Sequence, residues 1–180
     1  EARLQTLDEF TLFNYTCVSG SCILNYMWFT AYYTKLGETR FRYYVDGETV
    51  PSIDMEYYPG HALPYGNETS NAWESALFGR GAETGGVFNS FPIPFSKSVI
   101  ITVQKPSNTE RDPAYWFTVK GYEQIKSFSI GTLTPIQLPN SARLKLHKNV
   151  RASVAPLEFL TLFETQKSGL ALAVMIAAES

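Results

Sequence analysis

The chain has 180 residues, enough for one domain, and 44% of them are hydrophobic, which supplies a sizeable apolar core. Its formal net charge is −2, so no strong positive field draws it to nucleic acid. The longest apolar run, residues 170–178, is much shorter than the roughly 20 residues of a membrane-spanning helix. We therefore expect a single domain over residues 1–180, with neither nucleic acid nor a membrane as partner.

Short β-prone runs follow one another along the chain, separated by turn residues. The aromatic fraction of 14% also favours strands. The predicted strands are 9–16, 23–33, 40–45, 52–57, 87–94, 98–104, 115–120, 127–130, 143–147, 158–163 and 170–177. Because no long helical period accompanies them, they predict an all-β fold, a sandwich or barrel.

The N-terminal part carries signs of secretion. Asn14 and Asn67 each begin an acceptor sequence for N-glycosylation. The first residue is Glu1, so either a signal peptide has been removed or the sequence simply begins there. Cys17 and Cys22 are the only cysteines, and the flexible Val-Ser-Gly-Ser between them lets the two sulfurs meet. We expect a disulfide in an extracellular protein. The alternatives are two free thiols in the cytosol or, since no histidine is nearby, an incomplete metal site.

Two local patterns follow in the middle of the chain. Asp46-Gly47 lies between two β-prone runs and predicts a tight hairpin turn. Asn71 lies three residues before Glu74, and Gly79 follows an apolar run, which predicts one short helix at 71–78. This helix falls in a long connection between Tyr58 and Gly86, and such loops are usually functional or part of an interface.

Aromatic residues are concentrated in and beside this long connection. Flat rings there have two interpretations: they stack on sugar rings, with carbohydrate as a partner, or they pack the loop against the sandwich. The residues concerned are Tyr57, Tyr58, Tyr65 and Trp73. Four aromatic residues in predicted strands are expected in the core instead: Trp28, Phe29, Trp116 and Phe117.

Catalytic groups are scarce. The two histidines are His61, in the long connection, and His147, on an alternating run that predicts a solvated strand face. Asp54 and Glu56 alternate on one strand, so they share a face, as a glycosidase pair or an ordinary solvated pair would. His61 with Asp54 and Glu56 has the residue types of a metal site, but nothing in the sequence fixes that geometry. We assign no catalytic residue, no metal and no cofactor.

The terminal run 169–178 has no polar residue on either face. A strand of this kind must be covered on both sides. One interpretation is a central strand of the domain's own sandwich. The alternative is that this strand, or the N-terminal strand at 7–16, pairs with a neighbouring subunit, which would make self-assembly a property of the chain.

Three longer segments carry a family resemblance. They are Ile-Leu-Asn-Tyr-Met-Trp-Phe-Thr at 23–30, Arg-Phe-Arg-Tyr-Tyr-Val-Asp-Gly-Glu-Thr-Val-Pro-Ser-Ile at 40–53, and Gly-Val-Phe-Asn-Ser-Phe-Pro-Ile-Pro-Phe-Ser-Lys-Ser at 86–98. Their order and spacing resemble the N-terminal part of glycoside hydrolase family 172, long catalogued as a domain of unknown function. The segment at 138–144 looks like that of eukaryotic members.

The resemblance implies two consecutive jelly rolls, often assembled as trimers, and in characterised members the hydrolysis of fructofuranose or arabinofuranose linkages. The catalytic glutamates of such members lie in the second jelly roll, in a Gly-Thr-Glu-Asp-Tyr-Phe-like run that this sequence does not contain. Two hypotheses follow. The chain is a structural or assembly subunit of an extracellular fibre or coat, which we favour, or it is the N-terminal jelly roll of a furanoside hydrolase whose catalytic half is not in this chain.

Overall fold

The computed structural model describes residues 9–32, 39–62, 72–81, 86–104, 114–127, 142–149 and 153–174. Its ten strands are β1 (Glu9–Thr16), β2 (Cys22–Tyr32), β3 (Arg40–Val45), β4 (Ile53–Glu56), β5 (Trp73–Glu74), β6 (Phe78–Arg80), β7 (Val87–Asn89), β8 (Ile93–Phe95), β9 (Ser98–Gln104) and β10 (Ala114–Glu123). One 3-10 turn, Pro59–His61, is the only helical element of the described residues. The predicted all-β sandwich is confirmed.

The first sheet has four strands in the order β1-β9-β3-β4, and each neighbouring pair is antiparallel. Its strands alternate between buried and half-buried positions, as a sheet with one face on a core should. On β3, for example, Phe41, Tyr43 and Val45 are buried, while Arg40 and Arg42 lie on the outer face.

The second sheet has six strands in the order β10-β2-β7-β6-β5, and β8 pairs with β2 beside β7. The long strand β2 is its centre, because it pairs with β10 along one side and with β7 and β8 along the other. A β-bulge interrupts β2: Tyr26 pairs with Lys120 and Leu24 pairs with Gly121, which leaves Asn25 without a partner in β10. The bulge therefore turns Leu24 towards the core although strict alternation would place it outside.

The core lies between the two sheets and is rich in aromatic rings. Phe29 of the second sheet meets Phe41 of the first with ring centroids 4.5 Å apart, edge to face. Phe29 also contacts Tyr57 at 5.8 Å, and all three rings are completely buried. The remaining buried members of this cluster include Met27, Tyr43, Val45, Met55, Val87, Val99, Ile101 and Val103.

The two open sides of the sandwich are closed differently. On one side β1 meets β10: Phe10 packs on Tyr115 at 5.1 Å, and the Tyr15 hydroxyl donates to Glu123. On the other side the 3-10 turn contacts β4, β6 and β7 and so links the sheets. Sequence alone could not predict these contacts because they join distant parts of the chain.

The predicted helix at 71–78 is wrong over the described residues, where β5 and β6 form a short hairpin. Ser75 closes its turn: its backbone N–H donates to Phe78 O at 2.9 Å, and its hydroxyl accepts from Phe78 N at 3.2 Å. A Cβ on Gly79 would lie 2.5 Å from Trp73 O. The glycine therefore permits close strand contact and does not end a helix.

Residues 142–149 lie along the edge of β4 without forming a strand, so the predicted strand at 143–147 is wrong. Leu146 N donates to Ser52 O at 3.0 Å, and Leu144 and Leu146 are half-buried against the core. One backbone hydrogen bond does not make a ladder, but His147 is exposed, as expected for the solvated face of the alternating run.

Residues 153–174 contain no strand, so the predicted strand at 158–163 is wrong, as is the described part of the one at 170–177. The segment touches residues 142–149, since Asn149 Nδ2 donates to Thr161 O at 2.9 Å and Phe163 lies 4.5 Å from the His147 ring. Most of its side chains are exposed. The predicted strand at 127–130 lies outside the described residues except for its first position, and 175–177 also lie outside them.

No helix in the described part of the chain has the length and hydropathy needed to cross a membrane.

Candidate functional site

The Asp46-Gly47 turn forms as predicted and is the starting point of the most connected polar site. Asp46 and Gly47 have positive φ angles of 54° and 83°, and Glu48 N donates to Val45 O at 3.1 Å. Asp and Gly tolerate this backbone conformation better than most residues. Strand pairing resumes only at Ile53, so the tight turn begins a longer connection between β3 and β4.

The Asp46 carboxylate binds the turn between β8 and β9. It accepts from three successive backbone N–H groups, those of Ser96 at 2.9 Å, Lys97 at 2.6 Å and Ser98 at 3.1 Å. The Ser96 hydroxyl adds a fourth hydrogen bond at 2.8 Å. We call Asp46, Ser96, Lys97, Ser98 and Arg143 the Asp46 clamp.

Arg143 completes the clamp from the C-terminal part of the chain, because its Nη2 donates to Asp46 Oδ2. Burial by itself raises the pKa of Asp46, but the hydrogen bonds from Lys97, Ser96 and Ser98 outweigh it and lower the pKa below its ordinary value. The carboxylate is thus held ionised with its acceptor sites occupied. Such a group holds the structure together and is poorly placed to transfer protons.

Glu48 has a similar structural task within the turn. Its carboxylate accepts from Val45 N at 3.1 Å and from the Ser52 hydroxyl at 2.6 Å. These contacts close the loop between β3 and β4 on itself. Glu48 is therefore a loop-bracing residue.

Asp54 and Glu56 share the outer face of the four-stranded sheet, where cations hold both. Arg40 binds Asp54 with two parallel hydrogen bonds of 3.0 and 2.9 Å. Arg42 also approaches Asp54, at 3.5 Å, and Glu56 lies 3.0 Å from Lys148 and 3.5 Å from Arg40. A glycosidase pair has to flank a sugar with free carboxyl oxygens. These two are partners in a surface ion-pair network.

His61 lies in the interior of the sandwich and is fully buried. Its Nδ1 is 2.7 Å from Tyr57 O, and its Nε2 is 3.5 Å from Asn89 Nδ2. The suggested metal set is therefore wrong, because Asp54 and Glu56 point away from the core on the outer face. Among the described residues no three His, Cys, Asp or Glu side chains come together to hold a metal.

The aromatic residues proposed to stack on sugars separate into three groups. Tyr57 and Tyr58 pack on each other at 5.1 Å and are buried, so their rings have no open face for a sugar and the packing interpretation applies to them. Trp73 packs on Phe78 at 5.6 Å but stays 44% exposed. Tyr65 lies outside the described residues.

An aromatic surface that sequence reasoning missed lies on the outside of the six-stranded sheet. Trp116 and Tyr122 of β10 are 52% and 62% exposed. On the same face, Tyr26 of β2 stacks on Phe88 of β7 at 6.4 Å, and Trp28 pairs with Phe88 across the strands. We call these five residues the apolar outer face.

The expectation that Trp28, Trp116 and Phe117 belong to the core is wrong. Trp28 is half-buried on the outer face, and Trp116 and Phe117 are exposed on the edge strand β10. The signal was present in the alternation of β10, where Trp116 shares a face with Thr118 and Lys120. A lysine on the same face indicates the solvent side. Lys120 Nζ lies over the Tyr26 ring, 4.9 Å from its centroid.

Cys17 and Cys22 form the predicted disulfide, with Cα atoms 6.0 Å apart. Both cysteines are buried, and the Ser19 hydroxyl contacts both sulfurs, at 3.6 Å from Cys17 Sγ and 3.5 Å from Cys22 Sγ. The bridge fixes the connection between β1 and β2. Asn14 is exposed on β1, an edge strand, whereas Asn67 lies outside the described residues.

The sequence profile of one known family, described as the GH172 first beta-sandwich domain, matches residues 18–134. The chain belongs to the family of GH172 first β-sandwich domains. The matched region covers well over half of the 180 residues and confirms the resemblance drawn from the three motif segments. No curated protein sequence matches the chain.

Within this GH172 domain, the motif residues that carry the resemblance have structural contacts. The Asp-Gly-Glu part of the second segment supplies Asp46 and Glu48, and the Ser-Lys-Ser part of the third supplies the N–H groups that Asp46 binds. The two motifs therefore supply the hydrogen bonds that join the turn after β3 to the turn between β8 and β9. Arg143 lies beyond the matched residues and extends the clamp to the C-terminal part of the chain.

Proposed function

We propose that this GH172 sandwich is a structural module of a secreted glycoprotein, without catalysis of its own, that docks on a further sandwich domain or subunit. The observation that carries the proposal is the contrast between its carboxylates and its exposed apolar groups. The carboxylates of Asp46, Glu48, Asp54 and Glu56 are all engaged by donors or cations. None of them is free to act as acid, base or nucleophile.

Exposed apolar side chains support the docking part of the proposal. The apolar outer face presents Trp116 and Tyr122, and the segment 153–174 presents Leu157 at 101% and Phe159 at 98% exposure. Large apolar groups exposed together are typical of interaction surfaces. The family description speaks of a first β-sandwich domain, which is consistent with a further one as the partner.

Secretion and glycosylation are supported by the Cys17–Cys22 disulfide and by the exposed position of Asn14. Disulfides persist in oxidising compartments and are rare in the cytosol. A glycan on an edge strand would also hinder pairing with other sheets. Intact-mass measurement of the natural protein, before and after reduction and deglycosylation, tests this. Free thiols together with a mass equal to the polypeptide would contradict secretion.

A second candidate function has its own support. The family name designates glycoside hydrolases, so the chain is alternatively the supporting half of an enzyme that cleaves furanosides. The two candidates differ in what accompanies the domain. A natural coding sequence that runs on into a Gly-Thr-Glu-Asp-Tyr-Phe-like segment would favour the enzyme.

Activity measurements on the 180-residue chain test the absence of catalysis directly. We expect no turnover of aryl fructofuranosides or arabinofuranosides, by the wild type or by the Asp54→Asn and Glu56→Gln variants. Turnover by the wild type that either variant abolishes would contradict the proposal, because it would assign catalysis to the outer ion-pair network.

A further inference from the structure

Three polar side chains and one methionine form a chain of contacts inside the sandwich, where apolar groups would be the default. His61 Nε2 lies 3.5 Å from Asn89 Nδ2, and the same nitrogen of Asn89 lies 3.4 Å from the Tyr43 hydroxyl. The hydroxyl in turn donates to Met27 Sδ at 3.0 Å. His61, Asn89 and Tyr43 are all buried. We call these four residues the buried relay.

The buried relay joins elements that are distant in sequence. Tyr43 is on β3 of the four-stranded sheet, whereas Met27 and Asn89 are on β2 and β7 of the six-stranded sheet. His61 closes the 3-10 turn at the open side of the sandwich. A change in one of these hydrogen bonds therefore changes a contact between the sheets.

The contacts specify the protonation state of His61. Tyr57 O can only accept, so Nδ1 carries the hydrogen and donates to it at 2.7 Å. Nε2 then accepts from the Asn89 amide. Burial lowers the pKa of His61 to about 4, although the hydrogen bond to Tyr57 O acts in the opposite direction.

The described groups around His61 supply no negative charge that would balance a second proton on its ring. The Tyr57 ring lies 6.2 Å from the His61 ring, and the Tyr43 hydroxyl contacts the same Asn89 amide. Burial raises the pKa of Tyr43 and of Tyr57. On β6, Arg80 adds a positive charge near Tyr57, and on β7 the neighbour is the neutral Asn89. Asp54 and Glu56 of β4 point to the outer face, where cations hold them.

We propose that protonation of His61 switches the buried relay, by turning the Asn89 amide so that its oxygen accepts from Nε2–H and from the Tyr43 hydroxyl, which leaves Met27. The hydrogen bond that the Tyr43 hydroxyl donates thereby moves from Met27 on β2 to Asn89 on β7. The 3.5 and 3.4 Å contacts of Asn89 Nδ2 are at the long end of hydrogen-bond distances, so the amide gives up little when it turns. The domain stays folded and gains a second, acid form.

Nuclear magnetic resonance of the 180-residue chain tests the switch, with labelled methionine methyls and histidine rings followed from pH 7.5 to 3.5. We expect the Met27 methyl signal to shift with the same midpoint as the His61 ring while the spectrum remains that of a folded protein. His147 is exposed and serves as the internal reference, assigned through His147→Gln. A Met27 signal that stays constant through the His61 midpoint would overturn the proposal, as would global unfolding at that midpoint.

Two variants separate the relay from a local effect of the histidine. Asn89→Asp replaces the amide by a group that only accepts, so the His61 midpoint should rise by about 2 pH units and Met27 should show its acid-form signal near neutral pH. If this variant does not fold, Tyr43→Phe takes its place. It removes the hydroxyl, so Met27 should become insensitive to pH while His61 still titrates. A Met27 signal that still follows His61 in Tyr43→Phe would contradict the switch.

Discussion

Residues 142–149 and 153–174 have similar apolar patterns but opposite surroundings. In the first stretch Leu144 and Leu146 turn towards the core beside β4, and ion pairs fix Arg143 and Lys148 on either side of them. In the second stretch Leu157 and Phe159 are almost completely exposed. The apolar sequence pattern thus shows which side chains are suited to burial. Whether they are buried within this chain depends on contact with an available sheet edge.

The difference follows from contacts to the sandwich. The first stretch is held by the Asp46 clamp at one end and by the Lys148–Glu56 pair at the other. The second stretch contacts mainly the first, through Asn149 and His147. Its apolar side chains are largely exposed, and this exposure is the basis of the docking part of the proposed function.

Among the substitutions that test this difference, Asp46→Ala should lower the free energy of unfolding most. The substitution leaves three backbone N–H groups and Arg143 without their acceptor, so we expect the free energy of unfolding to fall by about 4 kcal/mol. Urea denaturation followed by fluorescence measures it. The matched control is Asp54→Ala on the exposed outer face, which should cost about 1 kcal/mol or less. An equal decrease in the free energy of unfolding for the two variants would show that the Asp46 clamp stabilises the fold no more than a surface ion pair.

Acid should act on the sandwich interior through His61. The folded protein has a lowered His61 pKa of about 4, against about 6.5 in the unfolded chain, so the unfolded state binds more protons between these values. Stability is therefore complete above pH 6.5 and falls by about 3 kcal/mol as the pH drops to 4. Denaturation midpoints at several pH values measure the loss.

The control for the pH experiment is the exposed His147 of the first C-terminal stretch. His147→Gln should leave the pH dependence of the unfolding free energy unchanged. A dependence that disappears with His147 would assign the proton-binding group to the C-terminal stretch and contradict its assignment to the core.

Opening the disulfide should have a smaller effect. The closed loop between Cys17 and Cys22 is short, so replacing both residues by serine should cost about 2 kcal/mol. Thermal unfolding with and without reductant checks the value, and the double variant should be insensitive to reductant. A wild type that is equally insensitive would indicate that the bridge does not contribute.

Sequence predicted the strands with strong local alternation best. The bounds of β1, β3 and β9 agree with the predicted runs, because alternation is visible within a few residues. The β5–β6 hairpin was missed because Gly79 looks like a helix end until Trp73 is placed beside it. Trp116 was assigned to the core although the edge position of its strand exposes it.

The candidate site was predictable only in part. The Asp46 turn and the disulfide follow from local residues, and both are confirmed. The partners of the Asp46 carboxylate could not be predicted, because the N–H groups begin 50 residues later and the Arg143 contact spans 97 residues. The burial of Tyr57 and His61 depends likewise on how the two sheets meet.

Truncation before residue 153 should change the stability least. It tests the central claim that the sandwich is complete without residues 153–174 and that, as proposed, these residues contact a partner. The decisive measurement is the free energy of unfolding of a chain ending at residue 152. We predict a value within about 0.5 kcal/mol of the full chain, as for surface changes. A chain ending at residue 141, which also loses Arg143 and Leu146, should be less stable by about 3 kcal/mol. A loss of more than about 2 kcal/mol on removing 153–180 alone would contradict the account, because that stretch would then be part of the domain's own core.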